Sequence, residues 1–318
     1  MIEKMFKGKI DIHTAIKFIV AVIILIYLLS LVEPKRMLAV LEGANPTLIF
    51  LGIILAPLNV VWLYFRWRSL TSFFEQERTI PKKEVLGSVL SGITLRLTTP
   101  GGLGEFGRIL YIRELSRTKL FALTVVDNLS SFFITGIFGP IGLAYIFGIW
   151  YLLLIPVGLI ILLAAFFLYR RRIDISQWRL LRWKIIPVKF RLVEFWETIK
   201  VLPISRIIFV LFISAVMFFC YSFQFYLLIT AFEDISPVDG FASISAIMFV
   251  KSILPISFGD LGIREGASIL MLGKFGVSRA AALNASLLLF SFNLLVPAII
   301  GSVFITGFKW RSSKSEAE

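Results

Sequence analysis

Long apolar runs dominate the chain, and several are longer than the core helix of a soluble domain needs to be. The runs at 141–169 and 204–232 both exceed the roughly 20 residues that cross about 30 Å of hydrocarbon as an α-helix. Between the runs lie short polar segments rich in Lys and Arg. The pattern therefore predicts an all-α polytopic membrane protein.

Six of the runs are expected to span the bilayer completely. They lie at about 15–32, 46–67, 121–138, 145–169, 204–231 and 280–308, with a turn expected at 138–142 between the third and the fourth. Basic residues cluster before the first run, in the loop 170–203 and after the last run. Because cytoplasmic loops carry an excess of Lys and Arg, both termini are expected in the cytoplasm, and the chain in the cytoplasmic (inner) membrane.

Two further apolar segments are interrupted by charged and helix-breaking residues. The first carries RLTTPGGLGEFGR at 96–108, and the second carries KSILPISFGDLGIRE at 251–265. Neither half of either segment is long enough to cross a bilayer. We therefore expect two re-entrant helical hairpins, at 85–115 from the cytoplasmic side and at 241–274 from the opposite side, where the preceding loop is acidic.

The two broken segments are related by a constant spacing. Four pairs of positions are offset by 155 residues, and two pairs further along are offset by 162: Arg96 and Lys251, Pro100 and Pro255, Gly104 and Gly259, Glu105 and Asp260, then Ser116 and Ser278, Gly139 and Gly301. Since one hairpin starts inside and the other outside, the chain is expected to be an inverted repeat of units 46–140 and 204–308, as in secondary transporters. Pro100 and Pro255 should then meet near the middle of the membrane.

Composition supports one membrane domain over residues 1–318 and excludes several other classes. The 318 residues are 58% hydrophobic and 17% charged, with one cysteine and a net charge of +13. One cysteine cannot form a disulfide within the chain, and the positive charge lies in loops beside apolar runs, so nucleic acid is not an expected partner. The loop 170–203 interleaves basic residues with Trp178, Trp183 and Trp196, which is typical of contact with anionic lipid.

Charged groups inside the hairpins are the candidate functional residues, because charge near the bilayer centre has to be paired, hydrated or bound to a ligand. Free N–H groups and an arginine at a half-helix start suit an anion, such as a phosphate-bearing headgroup. Alternatively, the charges only tie the two loops together. The candidate substrate-binding residues are Arg96, Gly101, Gly104, Glu105, Arg108, Lys251, Asp260, Arg264 and Glu265.

Asp127 is a further candidate, because it lies within the apolar run that follows the first hairpin. It is expected either to pair with Arg96 or Arg108, or to take up a proton that couples transport to a gradient. No cofactor and no metal site are expected, and the Gly-Lys-Ser/Thr loop of nucleotide-binding proteins is absent from the sequence.

The hairpin motifs resemble a known family. PGGLGEFGR at 100–108, LPISFGDLGIREG at 254–266 and Gly276-Val277 are similar to the membrane domain of the lysylphosphatidylglycerol synthase and flippase-like family, the transmembrane part of the multiple peptide resistance factor. The resemblance covers roughly residues 10–308 and implies movement of a phospholipid or lipid-linked headgroup between leaflets. It does not extend to the synthase activity, since nothing of that size follows Phe308, and Phe290 stands where a basic residue was expected.

The leading hypothesis is therefore a flippase-like lipid translocase that is not an enzyme, with membrane lipids bearing anionic headgroups as partners. The alternatives are a proton- or ion-coupled carrier of a small anionic solute, and a membrane scaffold for a separate lipid-modifying enzyme. An intramembrane protease with Asp127 and Asp260 is disfavoured because Ser257 and Val126 replace the residues its signatures require. A homo-oligomer is compatible with the sequence.

Overall fold

The computed structural model describes residues 42–74, 79–99, 103–155, 158, 192–254 and 262–306, and within these ranges the regular structure is entirely helical. Four features expected from the sequence lie outside the described residues. They are the span at 15–32, the span at 145–169 beyond 158, most of the loop 170–203, and both hairpin tips, with Pro100, Gly101, Pro255 and Asp260. The expected meeting of Pro100 and Pro255 therefore stays a prediction.

Nine α-helices are described, and shorter helical turns join some of them. In chain order they are α1 Pro46–Thr71, α2 Lys82–Thr98, α3 Arg117–Phe147, α4 Leu192–Val201, α5 Ile204–Thr230, α6 Pro237–Ile253, α7 Ile263–Gly273, α8 Arg279–Phe290 and α9 Val296–Thr306. A 3₁₀ helix at Leu103–Leu110 follows α2, and a π-helical turn at Ser291–Leu295 joins α8 to α9.

Four helical stretches are long and apolar enough, by length and composition, to cross a membrane. They are Pro46–Phe74, Arg117–Phe147, Ile204–Thr230 and Arg279–Phe304, with mean hydropathies of 2.3, 1.6, 2.2 and 2.2. Between 17% and 33% of each apolar window is buried inside the protein, so most of its surface faces outward, as a lipid-facing helix requires. The spans expected at 46–67, 204–231 and 280–308 are confirmed as long apolar helices.

The turn expected at 138–142 is wrong, because α3 runs without interruption from Arg117 to Phe147. Its 31 residues extend about 46 Å, enough to cross a bilayer as one helix. Pro140 lies inside the helix, where membrane proteins tolerate proline because neighbouring groups satisfy the freed backbone carbonyl. A 3₁₀ turn at Ile149–Leu153 follows the helix.

Glycines place the 3₁₀ helix directly against α2. A methyl group on Gly104 would lie 1.8 Å from the Leu95 carbonyl oxygen, and one on Gly107 would lie 2.2 Å from Leu95 Cδ1. The Gly104 amide donates a hydrogen bond of 2.5 Å to Thr99 Oγ1 at the end of α2. Thus α2 and the second half of this segment pack as a close pair, in which the second half is a 3₁₀ helix of eight residues.

Helices from the two halves of the chain pack in a reciprocal arrangement. The helix α3 of the first half packs on α6 of the second half, where a methyl group on Gly139 would lie 2.1 Å from Phe249 Cβ. Likewise, α9 of the second half packs on α2 of the first half, where a methyl group on Gly301 would lie 2.3 Å from the Leu90 carbonyl oxygen. The final helix of each half therefore lies against the broken segment of the other half, while α1 and α5 pack side by side.

The close approach of α3 and α6 can be tested by adding a methyl group. Gly142 of α3 faces the α6 backbone, and a Cβ there would lie 2.3 Å from the Ala242 carbonyl oxygen, so we expect Gly142→Ala to destabilise the protein by about 1–3 kcal/mol. Gly136→Ala on the same helix is the matched control, because within the described structure only nearby atoms of its own helix lie within 4 Å of its Cβ position. Thermal unfolding in detergent should show a lower Tm for Gly142→Ala only; equal Tm values would contradict this packing.

Candidate functional site

A cavity of about 290 Å³ lies between the two halves of the chain. Its wall combines apolar side chains from several helices with polar residues of both broken segments. The charged residues of the wall are Arg96, Glu105, Arg108 and Lys251, and the neutral polar ones include Asn59, Ser131, Thr135, Ser214, Tyr221, Ser252 and Asn293. Four of the nine substrate-binding candidates are therefore brought together here.

Glu105 connects the charged residues of the first broken segment. Its Oε2 lies 3.5 Å from Arg96 Nη1, and its Oε1 lies 3.7 Å from Arg108 Nη1. Arg96 and Glu105 are partly exposed, whereas Arg108 is buried. From the other broken segment, the Lys251 ammonium group lies 5.6 Å from the centre of the Tyr221 ring at the same cavity.

Behind the cavity wall, Asp127 pairs with two buried arginines. Arg108 Nη2 donates to Asp127 Oδ2 at 2.7 Å, while Arg66 Nε lies 2.6 Å from Oδ1 and Arg66 Nη2 donates to Oδ2 at 3.2 Å. Asp127 is completely buried, and the side chains of Arg66 and Arg108 are 4% and 1% exposed. The expected pairing of Asp127 with Arg108 is confirmed, and Arg66 takes the place considered for Arg96.

Arg108 is held on every side by side chains of different helices. Its guanidinium carbon lies 4.0 Å from the centre of the Trp67 ring, within cation–π range, and its Nε donates to Thr124 Oγ1 at 3.3 Å. The Trp67 indole donates to Ser88 Oγ, which in turn donates to the Arg108 carbonyl oxygen. Arg108 is therefore fixed in position, whereas Arg96 and Lys251 are more exposed.

A cluster of three amides lies where α1, α5 and the π-helical turn meet, and two of them, Asn59 and Asn293, line the cavity. Asn59 Nδ2 donates to Gln224 Oε1 and to Asn293 Oδ1, both at 2.8 Å, and Asn293 Nδ2 donates to Gln224 Oε1 at 2.9 Å. Gln224 Nε2 donates to the Gly52 carbonyl oxygen. Sequence reasoning missed Asn59 and Gln224, although each is an amide inside a long apolar span.

Arg264 and Glu265 lie apart from the cavity wall, in a buried contact between α7 and α8. Arg264 Nη2 bonds to Glu265 Oε1 at 2.5 Å, its Nε donates to Ser286 Oγ at 2.9 Å, and its guanidinium lies 5.6 Å from the Phe290 ring. Glu265 Oε2 also accepts a bond from the Gly262 amide. This pair therefore has a structural role. The sequence analysis considered such a role, as the alternative to substrate binding, for all the charged residues of the hairpins.

Of the three remaining candidates, one lies away from the cavity and two lie outside the described residues. Gly104 is packed against Leu95 and does not form part of the wall. Gly101 and Asp260 lie outside the described residues. Within the described ranges, no group of three or more His, Cys, Asp or Glu side chains is arranged to hold a metal ion.

The charged groups in and behind the wall do not cancel. Four described cations, Arg66, Arg96, Arg108 and Lys251, stand against two described carboxylates, Glu105 and Asp127, which leaves four minus two, or +2. Among the described residues, the charge balance at the cavity therefore favours an anion.

Removing the charge of Asp127 should destabilise the protein strongly. Asp127→Asn would leave Arg66 and Arg108 buried without their shared carboxylate, and breaking a buried ion pair in this way typically costs about 3–5 kcal/mol. Asn128→Ala, at the less buried neighbouring position, is the matched control and should have a small effect. The readout is the thermal unfolding midpoint in detergent. A melting curve of Asp127→Asn that overlays that of Asn128→Ala would contradict the role of the carboxylate.

Comparison with known proteins agrees with this architecture. The model of one protein family, described as the lysylphosphatidylglycerol synthase TM region, matches residues 14–301. No individually curated protein matches the chain significantly. The match spans nearly the whole chain and both broken segments, and with four long apolar helices it identifies a membrane domain of a type tied to lipids. The chain belongs to the lysylphosphatidylglycerol synthase transmembrane-region family.

Proposed function

We propose that the protein is a lipid translocase, which moves a phospholipid or lipid-linked anionic headgroup between leaflets and is not itself an enzyme. The main support for this proposal is the lining of the cavity, because its cationic residues come from both broken segments. A charged headgroup cannot cross hydrocarbon alone at useful rates, and a polar cavity within the membrane provides a path for it. The proposed location is the cytoplasmic (inner) membrane, with both termini in the cytoplasm.

The proposed mechanism treats the two broken segments as opposed re-entrant hairpins of an inverted repeat. Equivalent contacts in the two halves support this. Arg108 Nε bonds to Thr124 and Arg264 Nε bonds to Ser286, and the two hydroxyl residues are 162 positions apart. Ser116 and Ser278, also 162 apart, each cap the N-terminus of the helix that follows.

The reciprocal packing described above supports the same mechanism. Because α3 lies on α6 and α9 lies on α2, each broken segment is held by the opposite half of the chain. A small rotation of one half against the other would move both segments at once, opening the cavity to one side while closing it to the other. Rocking of this kind around a fixed site is how transporters with inverted repeats alternate access.

Within the cavity, Arg96, Arg108 and Lys251 would bind the phosphate of the headgroup. Glu105 lies between Arg96 and Arg108 and would hold the empty site together, then give up its contact with Arg96 when a phosphate arrives. The Glu105 contacts, at 3.5 and 3.7 Å, are longer than the Arg108–Asp127 contact of 2.7 Å. The site can therefore exchange Glu105 for a ligand while Asp127 keeps Arg108 in place. Proton uptake by Asp127 is not part of this mechanism, because a neutral carboxyl would leave Arg66 and Arg108 without their counter-charge.

The apolar part of the wall favours a lipid over a small soluble anion as cargo. It includes Val60, Leu63, Val89, Ile93, Met217, Phe218, Met248 and Leu294. These residues suit the glycerol backbone and upper acyl chains of a lipid, whereas a hydrated anion would gain nothing from them. A scaffold for a separate lipid-modifying enzyme would need no cationic cavity.

The proposal is tested in proteoliposomes that contain a fluorescent anionic phospholipid. Lys251→Gln should slow transbilayer movement about tenfold or more, because a charge-assisted contact to phosphate contributes about 1.5–3 kcal/mol. The measurement is the fraction of fluorophore that a membrane-impermeant quencher reaches over time. Lys274→Gln is the matched control, since Lys274 is exposed and does not line the cavity.

Two outcomes would reject the proposal. Equal lipid movement by the wild type and by protein-free vesicles would remove the translocase function. Uptake of radiolabelled inorganic phosphate by the same vesicles, without lipid movement, would favour the small-anion carrier instead. Arg264→Ala gives an independent check, because its effect should appear as a lower melting temperature, in keeping with its position between α7 and α8.

A further inference from the structure

Two acidic side chains meet away from the cavity, at the end of the first broken segment that is expected to face the cytoplasm. Glu84 lies in the first turn of α2, and Glu114 lies shortly before the start of α3. Their carboxyl groups are within hydrogen-bonding reach of each other, and Glu84 Oε2 is buried without a donor among the described residues. Because a carboxylate oxygen accepts hydrogen bonds but cannot donate one, a bond between the two groups needs a proton on one of them.

The surroundings of this carboxyl pair favour the protonated form. Burial, the Glu114 charge and the hydrogen bond between the two carboxyl groups raise the pKa of Glu84, and the positive charge of Arg113 offsets this only in part. The described part of α9, at 296–306, carries no titratable side chain. The titratable side chains on the other elements next to the pair are Arg68, Lys82, Lys83, Tyr111, Arg113, Arg117 and Glu194.

The corresponding position in the other half of the chain has ordinary donors. Asp239 lies 155 positions after Glu84, in the first turn of α6. It accepts hydrogen bonds from the Tyr145 hydroxyl at 2.9 Å and from the Ser236 hydroxyl at 2.7 Å. Pro81, which lies 155 positions before Ser236, has no hydroxyl group to offer. Asp239 therefore makes its contacts as a carboxylate, whereas Glu84 meets a second carboxyl group.

Contacts along α2 connect the carboxyl pair to the cavity. Glu84 and Ser88 are one helical turn apart, and Ser88 Oγ donates to the Arg108 carbonyl oxygen at 3.0 Å. The Tyr111 amide donates to the same oxygen at 3.2 Å, and its ring lies on α2, where a Cβ on Gly87 would be 2.4 Å from Tyr111 Cζ. The contact between the two arms of the segment, α2 and residues 103–115, thus continues from the carboxyl pair to Arg108 in the cavity wall.

We propose that the carboxyl pair is a pH-sensitive contact, which holds the two arms together when one carboxyl is protonated and releases them when both are charged. Two adjacent carboxylates repel each other, and the buried one has also lost its hydration. Because the bonds to Arg108 lie one turn away, the closed contact restrains the cavity wall and slows transport. This regulation of transport rests on the proposed translocase function, whereas the contact itself does not.

The direction of the pH dependence follows from the raised pKa of Glu84. The closed contact binds the proton more tightly than the released one, so it is fully formed below the usual glutamate pKa of about 4.3 and is lost as the pH rises through the raised pKa. One proton changes the ratio of closed to released molecules by up to about tenfold per pH unit. We therefore expect the arms to separate between about pH 5 and about pH 8.

The first test measures the distance between two spin labels on the protein in nanodiscs. The labels are attached at Lys82→Cys and Arg117→Cys, two exposed positions on either side of the contact, after Cys220→Ala has removed the native thiol. Pulsed electron resonance should show a short distance at about pH 5 and a growing population at a longer distance towards about pH 8. Glu84→Gln should keep the short distance throughout, because its amide donates to Glu114 without a proton.

Glu114→Gln is a second variant with the same expected result, since its amide can donate to the Glu84 carboxylate. Glu197→Gln is the matched control, because Glu197 is exposed on α4 and pairs with Lys200. It should keep the pH dependence of the wild type. Elution volume and melting temperature establish that each variant is folded.

A wild-type label distance that does not change with pH would overturn the pH-sensitive contact, and so would an equal change in both Gln variants. The second readout is lipid movement in proteoliposomes at the same pH values. The ratio of the Glu84→Gln rate to the wild-type rate should be near one at about pH 5 and fall about threefold or more at about pH 8. A ratio near one at both pH values would overturn the regulatory role. Absence of lipid movement by the wild type at every pH would overturn the translocase proposal and the regulation of transport, while the label distances would still decide the contact.

Discussion

The buried carboxylate of Asp127 is the interaction on which the rest of the site depends. Two guanidinium groups share it, and neither could remain buried in an apolar environment without a counter-charge. Arg66 comes from α1, Arg108 from the 3₁₀ helix and Asp127 from α3, so one carboxylate joins three separate elements. Through the Ser131 and Ser214 contacts of Arg66, the same network extends to α5.

Close packing of helices supplies the second constraint. Lipid tails are as apolar as the side chains that face them, so hydrophobicity alone does not draw membrane helices together, and small residues are needed at the contacts. Gly139 and Gly142 of α3 and Gly301 of α9 serve this purpose. Because the partners of α3 and α9 are the broken segments α6 and α2, tight packing surrounds the cavity without filling it.

Part of the site could be predicted from the sequence, because charged residues are unusual inside apolar segments. Arg96, Glu105, Arg108 and Lys251 interrupt apolar segments at matching positions, and the structure gathers them at one cavity. Arg66 was missed because it stands near Arg68 at the end of a span, where a basic residue is the ordinary sign of a cytoplasmic loop. Only the length of α1 reveals that Arg66 lies inside it.

Other features depended on contacts that no sequence pattern specifies. Gly139 and Pro140 predict a turn by their local preferences, but packing against α6 keeps α3 helical through both. The charge of Arg264 suggested a place at the cavity, whereas Glu265 and Ser286 bind it between α7 and α8. Asn59 and Gln224 gave only a weak signal, since single amides in an apolar span more often join helices than bind ligands.

The π-helical turn at Ser291–Leu295 changes the rotational phase of the last span. An extra residue in one turn rotates everything downstream by about 100° around the helix axis. The upstream part, α8, therefore presents its alanine-rich face to α5 and α7, while α9 turns Gly301 towards α2. The two parts of one continuous helix thus pack against different sets of helices. Asn293 and Leu294, which lie in the π-helical turn between these parts, form part of the cavity wall.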